Sequence, residues 1–163
     1  MNESLTSEIH NTFKNTKCSI IGDNRLLIKT ENEVIAALLK FLKDKNFNRL
    51  AMVSCVDWIK RETFEIIYIV ASFCIENPLN IIIKTEISRK KPEINTIIDI
   101  FENAEPYERE IHELFGVNVI GHPRLIPLLL EREYKIPPLR KDFDMRKYSK
   151  ELFDSIPFIG DKK

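Results

Sequence analysis

Residues 50–87 read LAMVSCVDWIKRETFEIIYIVASFCIENPLNIIIKTEI, three apolar, β-branched runs separated by short polar segments. The runs predict strands at 50–56, 63–74 and 79–87. Because connections this short join antiparallel neighbours, we expect these three strands to form an antiparallel meander. No glycine-rich phosphate loop follows any of these strands, which argues against a nucleotide-binding fold.

The flanking segments predict a further strand and several helices around this meander. RLLIKT at 25–30 is typical of a strand, and apolar stripes at helical spacing predict helices over 3–16, after an Asn32 cap, from Pro92 and from Pro106. The stripes are Leu5, Ile9 and Phe13; Val34, Leu38, Phe41 and Leu42; Ile94, Ile97, Ile98 and Phe101; and Tyr107, Ile111, Leu114 and Phe115. We therefore expect an α+β domain over 1–119, with a mostly antiparallel four-stranded sheet and helices packed on it.

The last segment, 120–163, has a different character. It holds five of the eight prolines, and its apolar patches, LIPLLL at 125–130 and LFDSIPFI at 152–159, show little periodicity. A stretch of this kind does not form its own core, and its leucines and isoleucines need burial. We expect an extended, proline-rich C-terminal tail that docks on partner subunits, since exposed apolar patches commonly mark partner sites.

Composition excludes several classes of function. The chain has 163 residues, and its 25 Lys and Arg balance its 25 Asp and Glu. Zero net charge argues against a nucleic-acid partner, because phosphate binding needs a cationic excess. No apolar run reaches the length of a membrane span. The three cysteines form no C-x-x-C pair, so no iron–sulfur or zinc site, and no other cofactor site, is predicted in this chain.

The sequence contains no complete catalytic motif. Glu108 and His112 are four residues apart on one predicted helix, but a metalloprotease motif would need a second histidine where Gly116 stands. His122 precedes a proline and is either a turn residue or an interface or proton-transfer group. A stand-alone hydrolase that uses Glu108, His112 and His122 stays an alternative, as does a free adaptor protein. The residue chemistry favours a non-enzymatic interaction module, with no catalytic and no metal-binding residue predicted.

Charge is segregated near the C-terminus. Five acids and one base, Arg109, lie between 102 and 113, whereas five bases and two acids lie between 139 and 150. These segments either pair with each other within the chain or stay solvated, or they form fixed ion pairs across an interface. In the last case the paired residues are Glu108, Arg109, Glu110, Arg140 and Lys141.

Three blocks of sequence resemble a known family. They are EREIHELFG at 108–116, GHPRL at 121–125 and PLRKDF at 138–143. In order and spacing they are similar to the 30 kDa subunit family of respiratory complex I. That family also occurs in energy-converting nickel–iron hydrogenases and in archaeal complex-I-like enzymes. Departures include Ile126 and Pro127, where arginines are common, and residues 145–163, which do not match the C-terminal strand of many quinone reductases.

The resemblance implies a non-catalytic subunit of the hydrophilic arm of a membrane-bound, ion-translocating oxidoreductase of the NADH-quinone dehydrogenase type. The alternative is the equivalent subunit of a nickel–iron hydrogenase. The expected partners are the large subunit, which holds the quinone or nickel–iron site, and the small iron–sulfur subunit. All cofactors would lie in those partners, and the chain would be peripheral on the cytoplasmic side of the membrane.

The resemblance also predicts which residues form the interface. The tail would lie along the large subunit, with Arg140 and Lys141 as buried ionic anchors. The predicted interface residues are Glu108, Arg109, Glu110, Gly116, His122, Pro123, Arg124, Leu125, Pro138, Leu139, Arg140, Lys141, Asp142 and Phe143.

Overall fold

A computed structural model describes residues 2–72, 78–130 and 134–154, and the side chains of residues 4–150 within these ranges. The predicted strand end at Phe73–Cys74 and the side chains of the apolar patch 152–159 lie outside the described residues.

The main sheet has five strands in the order β1-β2-β5-β4-β3. Their bounds are β1 Lys17–Gly22, β2 Arg25–Lys29, β3 Arg49–Trp58, β4 Thr63–Ala71 and β5 Asn80–Ser88. Strands β3, β4 and β5 form the predicted antiparallel meander, whereas β2 joins β5 in parallel. The predicted α+β class with a mostly antiparallel sheet is confirmed.

Strand β1 makes the sheet one strand larger than predicted. It pairs antiparallel with β2 at the edge of the sheet, and Ile20 and Ile21 are both about half exposed, at 54% and 51%. Ile20 and Ile21 are adjacent and both exposed, so the segment does not show the period-two pattern of a half-buried strand. The hairpin around Gly22 therefore had no sequence signal beyond its turn.

One face of the sheet carries the core. Phe64, Ile66, Tyr68 and Val70 alternate along β4 and are all at most 1% exposed. Directly paired positions on the neighbouring strands lie on the same face. Those positions are Ile81, Ile83, Thr85 and Ile87 on β5, and Leu50, Val53, Cys55 and Asp57 on β3. Asp57 thus stands on the core face, at the end of an otherwise apolar row.

Helices supply the rest of the core. Their bounds are α1 Asn2–Thr12, α2 Ile35–Asp44, α3 Ala104–Phe115 and α4 Met145–Asp154. The apolar stripes of α1, α2 and α3 bury Ile9, Leu38 and Ile111 in the same cluster as the sheet residues. Asn32 lies in a 3₁₀ turn before α2 and donates to the Glu93 carbonyl instead of capping the helix.

The predicted helix from Pro92 is wrong. Residues Glu93–Asn95 form β6, which pairs in parallel with β7, Asn118–Ile120. A tight turn follows, in which the Phe101 amide donates to the Ile97 carbonyl at 2.8 Å. Ile94, Ile97 and Phe101 are still buried, so their spacing correctly indicated burial but not the backbone that achieves it.

Helix α3 is held on the β3 edge by two side chains. The Tyr107 hydroxyl donates to the Ala51 carbonyl at 3.0 Å, and Asn103 Nδ2 donates to the Leu50 carbonyl at 2.9 Å. Both carbonyls lie where a register shift interrupts the β3–β4 ladder. The helix begins two residues before Pro106, which is tolerated because amides in the first turn have no intrahelical partner.

The described part of the tail contains α4, a helix that the expectation of an extended tail did not include. Asp144 Oδ1 accepts hydrogen bonds from the Arg146 and Lys147 amides at 3.0 and 3.1 Å, which satisfies free donors at the start of the helix.

Candidate docking surface

The three sequence blocks come together around α3. This helix packs one face on the sheet and presents the other to the tail, and Glu108, on the buried side, is 1% exposed. Its carboxylate accepts hydrogen bonds from the Thr96 hydroxyl at 2.6 Å and from the Ile97 amide at 2.7 Å. Burial raises the pKa of Glu108, and these two hydrogen bonds and the nearby His122 oppose that shift in part. Glu108 therefore ties the turn after β6 to α3 within the chain.

Arg109 and Glu113 bind the backbone of the tail from the exposed side of α3. Arg109 donates to the Ile126 and Pro127 carbonyls, each at 2.9 Å, and pairs with Glu105 at 3.1 Å. Glu113 accepts the amides of three consecutive leucines, at 3.0, 2.9 and 2.5 Å. Those leucines are Leu128, Leu129 and Leu130. Burial would raise the pKa of Glu113, but the three amides and Arg109 outweigh it, so the pKa is lowered.

Gly116 ends α3 in the left-handed conformation, with φ of 74°, as expected for the residue after a helix. A Cβ at this position would lie 3.0 Å from Pro137 Cγ, so the tail approaches the glycine closely. The Leu139 amide donates to the Leu114 carbonyl at 3.0 Å nearby. Gly116 thus allows both the end of the helix and the seating of the PPLR segment.

Asp57 is the main anchor for the third block. Its carboxylate, fully buried, accepts two hydrogen bonds from Arg89, at 2.9 and 3.2 Å, and one from the Lys141 amide at 2.8 Å. Burial would raise the pKa of Asp57, but these donors and the charges of Arg89 and Arg140 outweigh it, so the pKa is lowered. Arg89 also pairs with Asp142 at 2.6 Å. Two consecutive residues of the tail, Lys141 and Asp142, are therefore bonded to the sheet and to the residue that follows β5.

Arg140 and Lys141 differ in what they do within the chain. The Arg140 guanidinium lies 5.3 Å from the centre of the Phe64 ring and donates to the Arg89 carbonyl at 3.4 Å. Lys141 contributes its backbone amide to Asp57, and its side chain is exposed. Their role as ionic anchors on a partner stays a prediction.

The two histidines of the hydrolase alternative are bonded to the backbone. His112 Nδ1 lies 2.9 Å from the Val117 carbonyl. His122 Nδ1 accepts the Arg124 amide at 3.0 Å, and its Nε2 lies 3.4 Å from the Glu105 carbonyl. Both rings therefore stabilise turns at the two ends of the segment after α3.

The remaining predicted interface residues are distributed over the tail and the rim of α3. Pro123, Arg124, Leu139 and Asp142 are exposed, while Glu110, Leu125, Pro138 and Phe143 are half-buried. Phe143 packs edge-on against Tyr134 at 5.8 Å and lies equally close to Tyr148. The tail therefore forms a small aromatic cluster of its own, which no sequence pattern predicted.

Three residues that hold this surface together were not predicted: Asp57, Arg89 and Glu113. Asp57 does carry a signal, because a carboxylate inside an apolar strand is rarely buried without a partner. The partner of Asp57 is Arg89, which directly follows β5. Since β4 lies between β3 and β5, only the order of strands in the sheet brings these two residues together. Glu113 bonds backbone amides, which have no signature in the sequence.

Among the described residues, no group of three or more His, Cys, Asp or Glu side chains is arranged to hold a metal ion. In the same part of the chain, no helix has the length and apolar character needed to cross a membrane.

The family of the respiratory-chain NADH dehydrogenase 30 Kd subunit matches residues 28–149, and the chain belongs to this family. A subunit of the F(420)H(2) dehydrogenase of Methanosarcina mazei is 31% identical over 144 residues, covering 87% of this chain and 89% of that protein. A subunit of the NADH-quinone oxidoreductase of Moorella thermoacetica is 26% identical over 144 residues, covering 88% and 96%. The resemblance inferred from the three blocks is confirmed.

Two solved structures have the same fold. A chain of the membrane-bound sulfane sulfur reductase, an archaeal respiratory membrane complex, matches with a TM-score of 0.83 and 28% identity. That match covers 98% of this chain and 96% of the other. The trypsin-resistant fragment of Nqo5 matches with a TM-score of 0.66 and 22% identity, covering 77% of this chain and all of the fragment.

Replacing Asp57 by Asn should lower the free energy of unfolding by about 3 kcal/mol, because it leaves the Arg89 charge without its buried partner. Chemical denaturation of the purified chain measures this. Glu86→Gln is the matched control, since Glu86 pairs with Arg61 on the surface and both side chains are about half exposed. Equal effects of the two substitutions would contradict the role of Asp57.

Acid should remove the same contribution. Because the pKa of Asp57 is lowered in the folded chain, its stabilisation is present above the ordinary carboxyl pKa of about 4. It is lost as the pH falls through the lowered value. The difference in free energy of unfolding between the wild type and Asp57→Asn should therefore be constant above about pH 5 and shrink below about pH 4. A difference that does not change with pH would be inconsistent with an ionised Asp57.

Gly116→Ala should cost about 1–2 kcal/mol, because a Cβ is disfavoured at positive φ and also meets Pro137. Gly22→Ala is the control, since that glycine has open space around its Cβ position and an ordinary φ. Denaturation of the two variants should differ clearly. Equal stabilities would show that the tail does not depend on Gly116.

Proposed function

We propose that this chain is a non-catalytic scaffold subunit of the hydrophilic arm of a complex-I-like, membrane-bound, ion-translocating oxidoreductase. One observation carries the proposal beyond family membership. The tail is bonded firmly to the domain, yet it leaves a concentration of apolar side chains in solvent. Of the twelve large hydrophobic residues that are exposed in the described chain, seven lie between 120 and 145. These are Ile120, Ile126, Leu128, Leu129, Ile136, Leu139 and Met145.

Such a surface suits protein association. Exposed apolar patches are usually small on soluble monomers, and larger ones mark interaction sites. Three charged residues of the domain are occupied by the tail: Asp57 accepts the Lys141 amide, Arg89 pairs with Asp142, and Glu113 accepts leucine amides. The tail therefore offers apolar contact to a partner from a fixed backbone, which lowers the entropic cost of association.

The domain at 1–119 and the tail at 120–163 have separate tasks in this proposal. The domain provides a rigid base, and the tail docks on the large subunit and beside the small iron–sulfur subunit. Cofactors belong to these partners: iron–sulfur clusters, together with a quinone site in an NADH-quinone-type complex or a nickel–iron site in a hydrogenase. The chain lies on the cytoplasmic side of the membrane and keeps the redox subunits in register. The relatives support the class of complex, and they differ in electron donor and acceptor.

A tagged full-length chain should therefore recover redox subunits from gently solubilised native membranes. The large subunit and a small iron–sulfur subunit are expected in near-equal amounts, as measured by quantitative mass spectrometry, and untagged membranes are the control. A large subunit with two C-x-x-C pairs would assign the complex to the hydrogenases, and one without them to the quinone-type dehydrogenases. Recovery of the chain without any redox subunit would overturn the proposal.

A further inference from the structure

We propose that Arg109 and Glu113 act as a positioning pair. They clamp the backbone of 126–130 so that Leu128 and Leu129 form an apolar knob that inserts into an apolar recess of a larger protein subunit. The inference rests on the proposed function and deepens it, because it identifies the element that makes the contact, the residues that hold it and the chemistry of the recess.

The clamp uses five hydrogen bonds from two side chains one helical turn apart. Arg109 donates to two consecutive carbonyls, and Glu113 accepts three consecutive amides. Side chains four residues apart on a helix are neighbours, so the two groups grip adjoining parts of one short segment. Hydrogen bonds to an ionised acceptor are stronger than neutral ones. Residues 126–130 are thus held without burying the two leucines.

The knob itself is apolar and exposed. The exposed fractions of Leu128 and Leu129 are 38% and 62%, and Leu129 has the largest value among the exposed large hydrophobic residues of the described chain. Pro127 directly precedes them and restricts the backbone further. Holding a loop in its bound conformation beforehand reduces the ordering cost of binding.

The charges around the knob define the recess. Arg109 pairs with Glu105 and donates to two carbonyls, and Glu113 accepts three amides and lies near Arg109. Because the hydrogen-bonding groups of both side chains are already occupied within the chain, the surface that receives the knob is expected to be apolar. A recess that offered a carboxylate or an ammonium group here would bury it unpaired.

Family membership and the match to a chain of an archaeal membrane complex favour a larger subunit over a second copy of this chain. A stable interface buries roughly 1,200–2,000 Å² in total, and two leucines from each of two copies bury far less than that. The knob can therefore act only as part of a longer contact along the exposed apolar residues of the tail. The match to the chain of the archaeal membrane complex covers 98% of this chain and so includes the tail, which supports a tail conformation compatible with assembly.

The isolated chain tests the clamp directly. Glu113→Gln keeps the size of the side chain but replaces one acceptor oxygen by an NH₂ group. Because both oxygens accept leucine amides in the wild type, the NH₂ group would meet an amide donor and lose that hydrogen bond. Hydrogen exchange at the Leu128, Leu129 and Leu130 amides should be slow in the wild type and at least tenfold faster in this variant. Glu102→Gln, an exposed acid just before α3, makes the same charge change and should leave these rates unaltered. Fast exchange in the wild type would overturn the clamp.

Competitive assembly tests the knob. Each full-length variant is co-expressed with the wild-type chain in the native host, and its share of the assembled complex is measured by mass spectrometry. Leu128→Ala with Leu129→Ala should reduce incorporation at least tenfold, and Glu113→Gln about fivefold. All three changes together should do no more than the leucine pair, because the clamp acts only through the knob. Ile20→Ala with Ile21→Ala, on the exposed β1 edge, should incorporate normally.

The outcomes separate this inference from the proposed function. If the wild type does not assemble with redox subunits, the proposed function fails and the knob with it. If the wild type assembles and the leucine variant does so equally well, only the knob is wrong. If the leucine variant is impaired but Glu113→Gln is not, the positioning role is wrong. A dimer of the isolated chain that the leucine substitutions abolish would assign the knob to self-contact and also overturn the inference.

Discussion

The buried carboxylate of Asp57 connects the two parts of this molecule. It accepts two hydrogen bonds from Arg89 and one from the Lys141 amide, so a single group joins β3, the end of β5 and the tail. A buried carboxylate is tolerated only when its acceptors are occupied, and here the tail supplies one of the donors. The hydrogen bonds of Asp57 are consequently complete only when the tail is in place. This contact helps to explain why the tail, which has no large core of its own, packs against the domain at Lys141.

Helix α3 contacts both the domain core and the tail. Its inner face buries Ile111 and Phe115 and uses Glu108 to hold the turn after β6, while its outer face uses Arg109 and Glu113 to hold the tail. The acidic segment and the basic segment noted in the sequence do not pair directly in the contacts seen among the described residues. Glu108, Arg109 and Glu113 instead bond backbone groups or nearby side chains, and Arg140 lies against Phe64 and bonds the Arg89 carbonyl.

Much of the fold and the family could be predicted from the sequence because the signals are local. The meander, α2 and α3 follow from residue patterns within a few turns or strand lengths, and the three blocks identify the family by order and spacing. The hairpin of β1 had little signal, because Ile20 and Ile21 are exposed at a sheet edge. The sequence signal after Pro92 was misleading, because the apolar spacing there fits a helix. In the structure Glu93–Asn95 pair with β7 and form a strand.

The sequence by itself therefore determined much of the apolar core, the class of fold that encloses it and the family to which the chain belongs. Only the tertiary structure decided the partners of the charged residues. Asp57 meets Arg89 across an intervening strand and meets Lys141 from 84 positions away along the chain. Glu113 bonds backbone amides, which every residue except proline offers. Such contacts depend on strand order and on the path of the backbone, and no periodicity or spacing encodes them.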